Sequence, residues 1–177
     1  TTKVGGASSG LVSGNIVASS PSWASGTASI TLTTNTGLQI QYQVNGINDG
    51  QWTTASTGAI VSGLHHNETV YARLFDGVNT GDYGSVSIQD GIDPVVTVSP
   101  GTITTNSIQV SVSTVDNESG MADNLTYTYY IKKTGEADSS YQAKANGIAQ
   151  NSYTFTGLNQ ETSYDVKVEV TGDKAGR

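Results

Sequence analysis

The sequence contains no cysteine among its 177 residues, which excludes disulfides, thiolate metal sites and cysteine nucleophiles while leaving the redox compartment open. Histidine is nearly absent too. The two that occur, His65 and His66, are adjacent and offer little material for acid–base chemistry. Only 13% of residues are charged, 8 basic against 15 acidic, for a formal net charge of −7. That field repels phosphate backbones and anionic lipid, so neither nucleic acid nor a membrane surface is expected as a partner. No apolar run approaches the ~20 residues of a membrane-spanning helix, so membrane insertion is not expected either.

Serine and threonine make up 45 of the 177 residues and glycine another 21. Turn residues recur every ~8–12 positions, and no segment repeats apolar residues at helical spacing, so the chain reads as all-β. In 107–113 the residues Ile108, Val110 and Val112 alternate with Gln109, Ser111 and Ser113. In 125–132, Leu125, Tyr127, Tyr129 and Ile131 form one face and Thr126, Thr128, Tyr130 and Lys132 the other. The clearest strand is 162–171. There Tyr164, Val166, Val168 and Val170 face inward and Asp165, Lys167, Glu169 and Thr171 outward, and a one-residue slip would bury three charges. Val168→Ala is expected to cost roughly 2 kcal/mol or more.

The two halves repeat. Gly63-Leu64 followed by Asn67-Glu68-Thr69-Val70-Tyr71 echoes Gly157-Leu158 followed by Gln160-Glu161-Thr162-Ser163-Tyr164. Matching Glu68-Thr69 with Glu161-Thr162 puts Tyr71 on Tyr164, but that phase buries Arg73. The rival phase, with Val70, Ala72 and Leu74 inward, is preferred because an unpaired buried charge is costly. The expected division is a flexible lead-in or tail of a preceding unit over 1–13, one sandwich over 14–91 and a second over 92–177. Asp90-Gly91-Ile92-Asp93-Pro94 forms a short connection stiffened by proline.

The pattern from Gly157-Leu158 through Tyr164, Val166, Val168 and Val170 resembles the E–F corner of a fibronectin type III domain. That resemblance implies a tyrosine corner at Tyr164. The first half resembles bacterial immunoglobulin-like repeats of surface proteins, through Pro21-Ser22-Trp23, Gln41 to Gly46, Gln51-Trp52-Thr53 and Val70 to Arg73. What the two resemblances imply is a pair of tandem antiparallel β-sandwiches. Both families close with a seventh strand, G. The first half has a candidate in 85–89, whereas the second runs to Arg177 directly after its F–G turn, so it is expected to lack G and to leave 162–171 as an open edge able to pair with another chain.

Gly6-Ala7-Ser8-Ser9-Gly10 matches the G-x-S-x-G elbow of serine hydrolases in letters only, because it lies in a polar Gly/Ser-rich segment. His65-His66 falls in the loop between the presumed E and F strands, where neighbouring positions seldom chelate one metal. The Asn-x-Ser/Thr triplets at Asn67, Asn117 and Asn124 are at chance level for this composition. Lys132 and Lys167 fall on outward phases, which leaves no candidate for an isopeptide crosslink. Acidic groups gather in loops, and Asp90, Asp93, Asp116, Glu118 and Asp173 are candidate calcium ligands, at the connection or beside Asp116 and Asp173. Turn chemistry is the competing account of the same residues, as it is for Asp76. Trp52, Tyr83, Tyr130 and Tyr141 are the aromatics expected to be exposed, a candidate sugar-stacking set, although a cysteine-free sandwich also needs bulky residues such as Trp23 and Trp52 as core plugs.

The expected function is a non-catalytic repeat module of a larger extracellular bacterial surface protein, acting as stalk, spacer or adhesive scaffold, with neighbouring repeats and an unidentified protein or glycan as partners. The alternatives are a carbohydrate-binding accessory module of a secreted glycan-degrading enzyme, which requires at least two coplanar exposed rings, and a structural repeat of a phage tail or pilus fibre, in which residues 1–13 dock as a neighbour's strand.

Overall fold

Alternation of apolar with Ser, Thr and Gln side chains recurs along the chain, and the computed structural model, which describes residues 10–13 and 16–177, converts it into fifteen strands and no α-helix among them. Two compact units result. One comprises Thr1–Ile92 with Asn117–Ser119, the other Asp93–Asp116 with Gly120–Arg177.

Unit 1 holds β1 (Gly10–Ser13), β2 (Ile16–Ala18), β3 (Ser22–Ala24), β4 (Thr27–Thr34), β5 (Gln39–Val44), β6 (Thr53–Ala55), β7 (Ala59–Leu64), β8 (Thr69–Phe75) and β9 (Gly84–Ser87). In β4, Ala28, Ile30 and Leu32 are buried while their neighbours are not, so one face supplies core. β4 pairs antiparallel with β2, β3 and β7, while β1 continues the sheet beyond β2. The second sheet runs β6-β5-β8-β9. Between the sheets lie Ile16, Ile30, Leu32, Ile40, Val70 and Val86, each at most 1% exposed, and every such aliphatic side chain contributes about 1.5–3 kcal/mol by leaving water. Residues 10–13, read from sequence as part of a flexible lead-in, form β1 paired with β2 of the same unit. This corrects the flexible reading for those four residues. Residues 1–9, including most of the Gly6–Gly10 motif, lie outside the described residues.

Unit 2 holds β10 (Val95–Ile103), β11 (Ser107–Val115), β12 (Tyr127–Lys133), β13 (Gln142–Ile148), β14 (Ser152–Thr156) and β15 (Tyr164–Val170), with a short 3-10 turn at Asp138–Ser140. The sheets are β10-β11-β14 and β13-β12-β15, all antiparallel. Val110, Val112, Tyr127, Tyr129, Ile131 and Phe155 form its core, with Tyr164, Val166, Val168 and Val170 packed half-buried against it. The Tyr127, Tyr129 and Tyr153 rings stack in series, 6.3 and 5.2 Å between centroids. Tyr164 Oη accepts a 3.0 Å hydrogen bond from the backbone N–H of Asn159, five residues upstream.

The two units share a backbone signature. Gly63 and Gly157 both have positive φ, 72° and 70°, and so do Asn67 and Glu161, at 69° and 56°. The spacing between Gly63 and Gly157 equals that between Asn67 and Glu161, and the same step carries Val70 onto Tyr164 and Ala72 onto Val166. Val70 and Ala72 are fully buried, and Leu74 packs half-buried against them. The match of Glu68-Thr69 with Glu161-Thr162 in letters is therefore one residue out of step with the backbone.

The units differ at one strand. In unit 1, β8 is flanked by β5 on one side and β9 on the other, and pairing continues through Ile88, whose N–H donates to Glu68 O at 2.8 Å. In unit 2, β15 pairs with β12 alone among the described residues. The units also differ in burial: all nine residues of β10 are exposed, Val96 and Val98 at 39% and 37%, whereas Ile16, Ala18, Val86 and Ile88 of unit 1 are at 0%.

Candidate functional site

The five acidic residues named from sequence fall into separate settings. In unit 1, Asp90 is wholly buried. Its Oδ1 accepts the Ile92 N–H and its Oδ2 the Ser119 N–H, both at 3.1 Å, while its own N–H donates to His66 Nδ1 at 3.0 Å. Glu118 Oε2 accepts the Gly91 N–H. Burial works to raise the Asp90 carboxyl, but hydrogen bonds from the Ser119 side chain, the Ile92 N–H and the Glu118 carboxyl outweigh it and hold the group below its ordinary value. Burial, reinforced by the neighbouring Asp90 charge, pushes Glu118 up. The pair thus behaves as one carboxylate and one acid that keeps its proton longer than usual. Gly26 makes room for this loop. Its φ is +82°, and a Cβ there would sit 3.2 Å from the Ser119 carbonyl oxygen.

In unit 2, Asp93 is exposed and 3.7 Å from the Arg177 guanidinium. Asp116 follows β11 and Asp173 follows β15, so the loops after two strands of opposite sheets bring them together. Their carboxylate oxygens lie within 4.8 Å of each other. Backbone bonds pin these loops: Lys174 N–H to Gly120 O at 2.9 Å, Ala122 N–H to Gly172 O at 3.3 Å, and a bridge between Met121 and Asp173. Asp116 Oδ2 accepts the Gly120 N–H and Asp173 Oδ1 the Arg177 N–H. Asp173 is 4% exposed, and its Oδ2 has no hydrogen-bond partner. Asp76, in contrast, is pure turn chemistry, accepting the N–H groups of Val78 and Asn79.

The aromatic candidates do not form a flat platform. Trp52 and Tyr83 are 6.4 Å apart and tilted by 42°, Tyr83 meets Tyr71 edge-on, and the Arg73 guanidinium lies 4.0 Å over the Trp52 ring. Tyr83 is exposed, but Trp52 is half-buried, a correction to the exposed reading. In unit 2, Tyr130 and Tyr141 are also half-buried. Lys167 sits over both, at 4.8 and 5.9 Å, and Tyr130 Oη donates to Glu169 at 2.7 Å. Lys132, placed outward by alternation, is buried after all. Its Nζ donates to Glu136 O at 2.7 Å, pairs with Asp165 at 3.2 Å and Asp138 at 3.5 Å, and approaches the Tyr141 ring. The 3-10 turn at Asp138–Ser140 and the loop before it supply Asp138 and Glu136, which a period-two pattern does not register, while Asp165 is the cross-strand neighbour on β15. His65 and His66 face different partners, Glu68 and Asp90 N–H.

No family model and no curated protein matches the chain. Among solved structures it is similar to a two-domain fibronectin type III segment of chicken tenascin, at 14% identity and TM-score 0.50, covering 89% of this chain and 90% of that one. The FN1–FN3 domains of chicken CNTN1 match over 98% of this chain and 63% of theirs, at 14% identity and TM-score 0.37. Domains A168–A170 of titin match over 85% and 53%, at 16% identity and TM-score 0.39. The chain thus spans less than two thirds of the CNTN1 and titin segments. At these identities the tenascin likeness is one of fold, two consecutive β-sandwiches of fibronectin type III or immunoglobulin type. No helix among the described residues is long and apolar enough to cross a membrane.

Proposed function

We propose that the chain is a non-catalytic repeat module of an extracellular protein, a stalk, spacer or adhesive scaffold of a bacterial surface, in which unit 2 accepts a strand from a neighbouring module along β15. The observation that carries this reading is the contrast between β8, paired on both sides, and β15, paired on one. An unpaired strand presents a row of backbone donors and acceptors that recruits another strand, and the half-covered valines of β15 offer apolar surface for alternate side chains of the incoming segment. Unit 1 supplies the pattern of that segment: Gly84–Ile88 places Val86 and Ile88 inward beside β8, both fully buried. The acidic, Ser/Thr-rich surface suits a hydrated extracellular setting. Asp76, Lys132 and Glu169 are tied into turns and ion pairs.

The test is hydrogen exchange along β15 with a synthetic peptide of residues 84–90 as strand donor. In the free chain, alternate β15 amides bonded to β12 exchange slowly and the intervening ones quickly; added peptide slows the second set. If the intervening amides are already protected in the monomer, or stay fast at saturating peptide, the strand-accepting role is wrong.

A further inference from the structure

We propose that Asp116 and Asp173 form the carboxylate floor of a calcium site within unit 2. The proposal stands apart from the repeat-module reading. Two observations carry it. The first is convergence: loops that leave β11 and β15 are held together by the Lys174–Gly120 and Ala122–Gly172 backbone bonds, and they set two carboxylates with oxygens within 4.8 Å of each other. The second is the state of Asp173. It is 4% exposed, one oxygen takes the Arg177 N–H, and the other, Oδ2, is buried without a partner. A buried carboxylate oxygen left unbonded beside a second carboxylate lacks compensation that a cation supplies directly. Lys174 pairs with Asp123 at 3.6 Å, and the Arg177 guanidinium lies 3.7 Å from Asp93.

The donor set selects the ion class. Carboxylate oxygens without nitrogen or sulfur favour a hard cation. Oxygens within 4.8 Å of each other can share one calcium ion, whose ~2.3–2.6 Å bonds and flexible geometry suit a site built from protein oxygens, whereas magnesium demands near-ideal octahedral geometry and gives up its waters reluctantly. Each carboxylate is already oriented by a backbone N–H, from Gly120 for Asp116 and Arg177 for Asp173, so little reorganisation is needed on binding. A bound ion would lock the loop after β11 to the end of β15.

The experiment is calorimetric titration of the chelator-treated full chain with calcium chloride, paired with thermal melts in calcium, magnesium and EDTA. One calcium per chain and an upward shift of the melting transition are expected. Asp173→Asn and, separately, Asp116→Asn weaken binding on the order of tenfold or more and remove the shift. In EDTA, Asp173→Asn melts no lower than the parent, which separates lost binding from lost folding. The proposal is overturned if calcium produces neither heat nor shift, if binding persists undiminished in both variants, or if magnesium shifts the melt as much as calcium does.

Discussion

Lys132 Nζ lies 3.2 Å from Asp165 Oδ2 across the β12–β15 pair, with its side chain only 7% exposed although its strand position points away from the core. Burial works to lower the ammonium group, yet the Asp165 and Asp138 carboxylates prevail and hold it above its usual value. The Thr134 hydroxyl and then Lys132 hold Asp165 below the ordinary 3.8. A carboxylate with a depressed folded-state pKa stabilises the fold above its unfolded value and loses that contribution as pH falls through the folded one. Asp165→Asn therefore lowers the urea midpoint at pH 7, and the gap to the parent narrows as pH drops below 3.8. A gap that is unchanged in acid would show that the loss is steric rather than ionic.

Glu118 carries the opposite sign. Its folded-state pKa is raised above 4.5 by burial and by Asp90, so it favours folding below 4.5 and opposes it as pH rises through the folded value. Glu118→Gln keeps a neutral donor for Asp90 and an acceptor for the Gly91 N–H. In EDTA the variant is expected to melt higher than the parent at pH 7.5 and alike near pH 4. A variant less stable at pH 7.5 would mean that the Glu118 charge is required.

The unequal pairing of β8 and β15 sets the cost of truncating their valines. Val70 is wholly buried between β5 and β9, and Val70→Ala is expected to cost about 2–3 kcal/mol. Val168 is half-buried on a one-sided strand, so Val168→Ala costs about 1 kcal/mol, less than alternation alone suggests. Chemical denaturation of the two variants compares them directly, and equal losses would contradict the partial cover of β15.

Alternation made the strands legible because one buried face imposes a two-residue period: the inward set of β12 reads directly from Tyr127, Tyr129 and Ile131. It also favoured Val70, Ala72 and Leu74 over Tyr71 and Arg73, since a charge is costly to bury. Lys132 escaped the same logic because Glu136 and Asp138, from the loop and turn after β12, join Asp165 of β15 around its ammonium group. The one-residue offset between Asn67 and Glu161 was hidden for another reason. Left-handed backbone is common at asparagine and glycine but leaves no mark at a glutamate. The acidic residues near Asp116 and Asp173 were visible in loops, and the sequence already set these two beside one candidate site, but the Lys174–Gly120 and Ala122–Gly172 bonds that hold the two loops together are made by backbone atoms, of which sequence spacing carries no trace.

Arg73 decides whether Trp52 serves as a sugar-stacking face. Its Cζ lies 4.0 Å over the ring, its Nε donates to Gln41 Oε1 at 2.9 Å, and Tyr83 meets Trp52 at a 42° tilt. A pyranose needs an open ring face, and here a guanidinium fixed by β5 occupies it, contributing about 0.5–1 kcal/mol. In a Trp23→Phe background, which leaves Trp52 as the reporter, Arg73→Ser is expected to shift emission to the red and to increase quenching by acrylamide. The parent is expected to stay in solution when mixed with insoluble cellulose or chitin. Retention of the parent on either polysaccharide, lost on Trp52→Ala, would revive the carbohydrate-binding reading, because it would mean that Arg73 yields its place to a sugar.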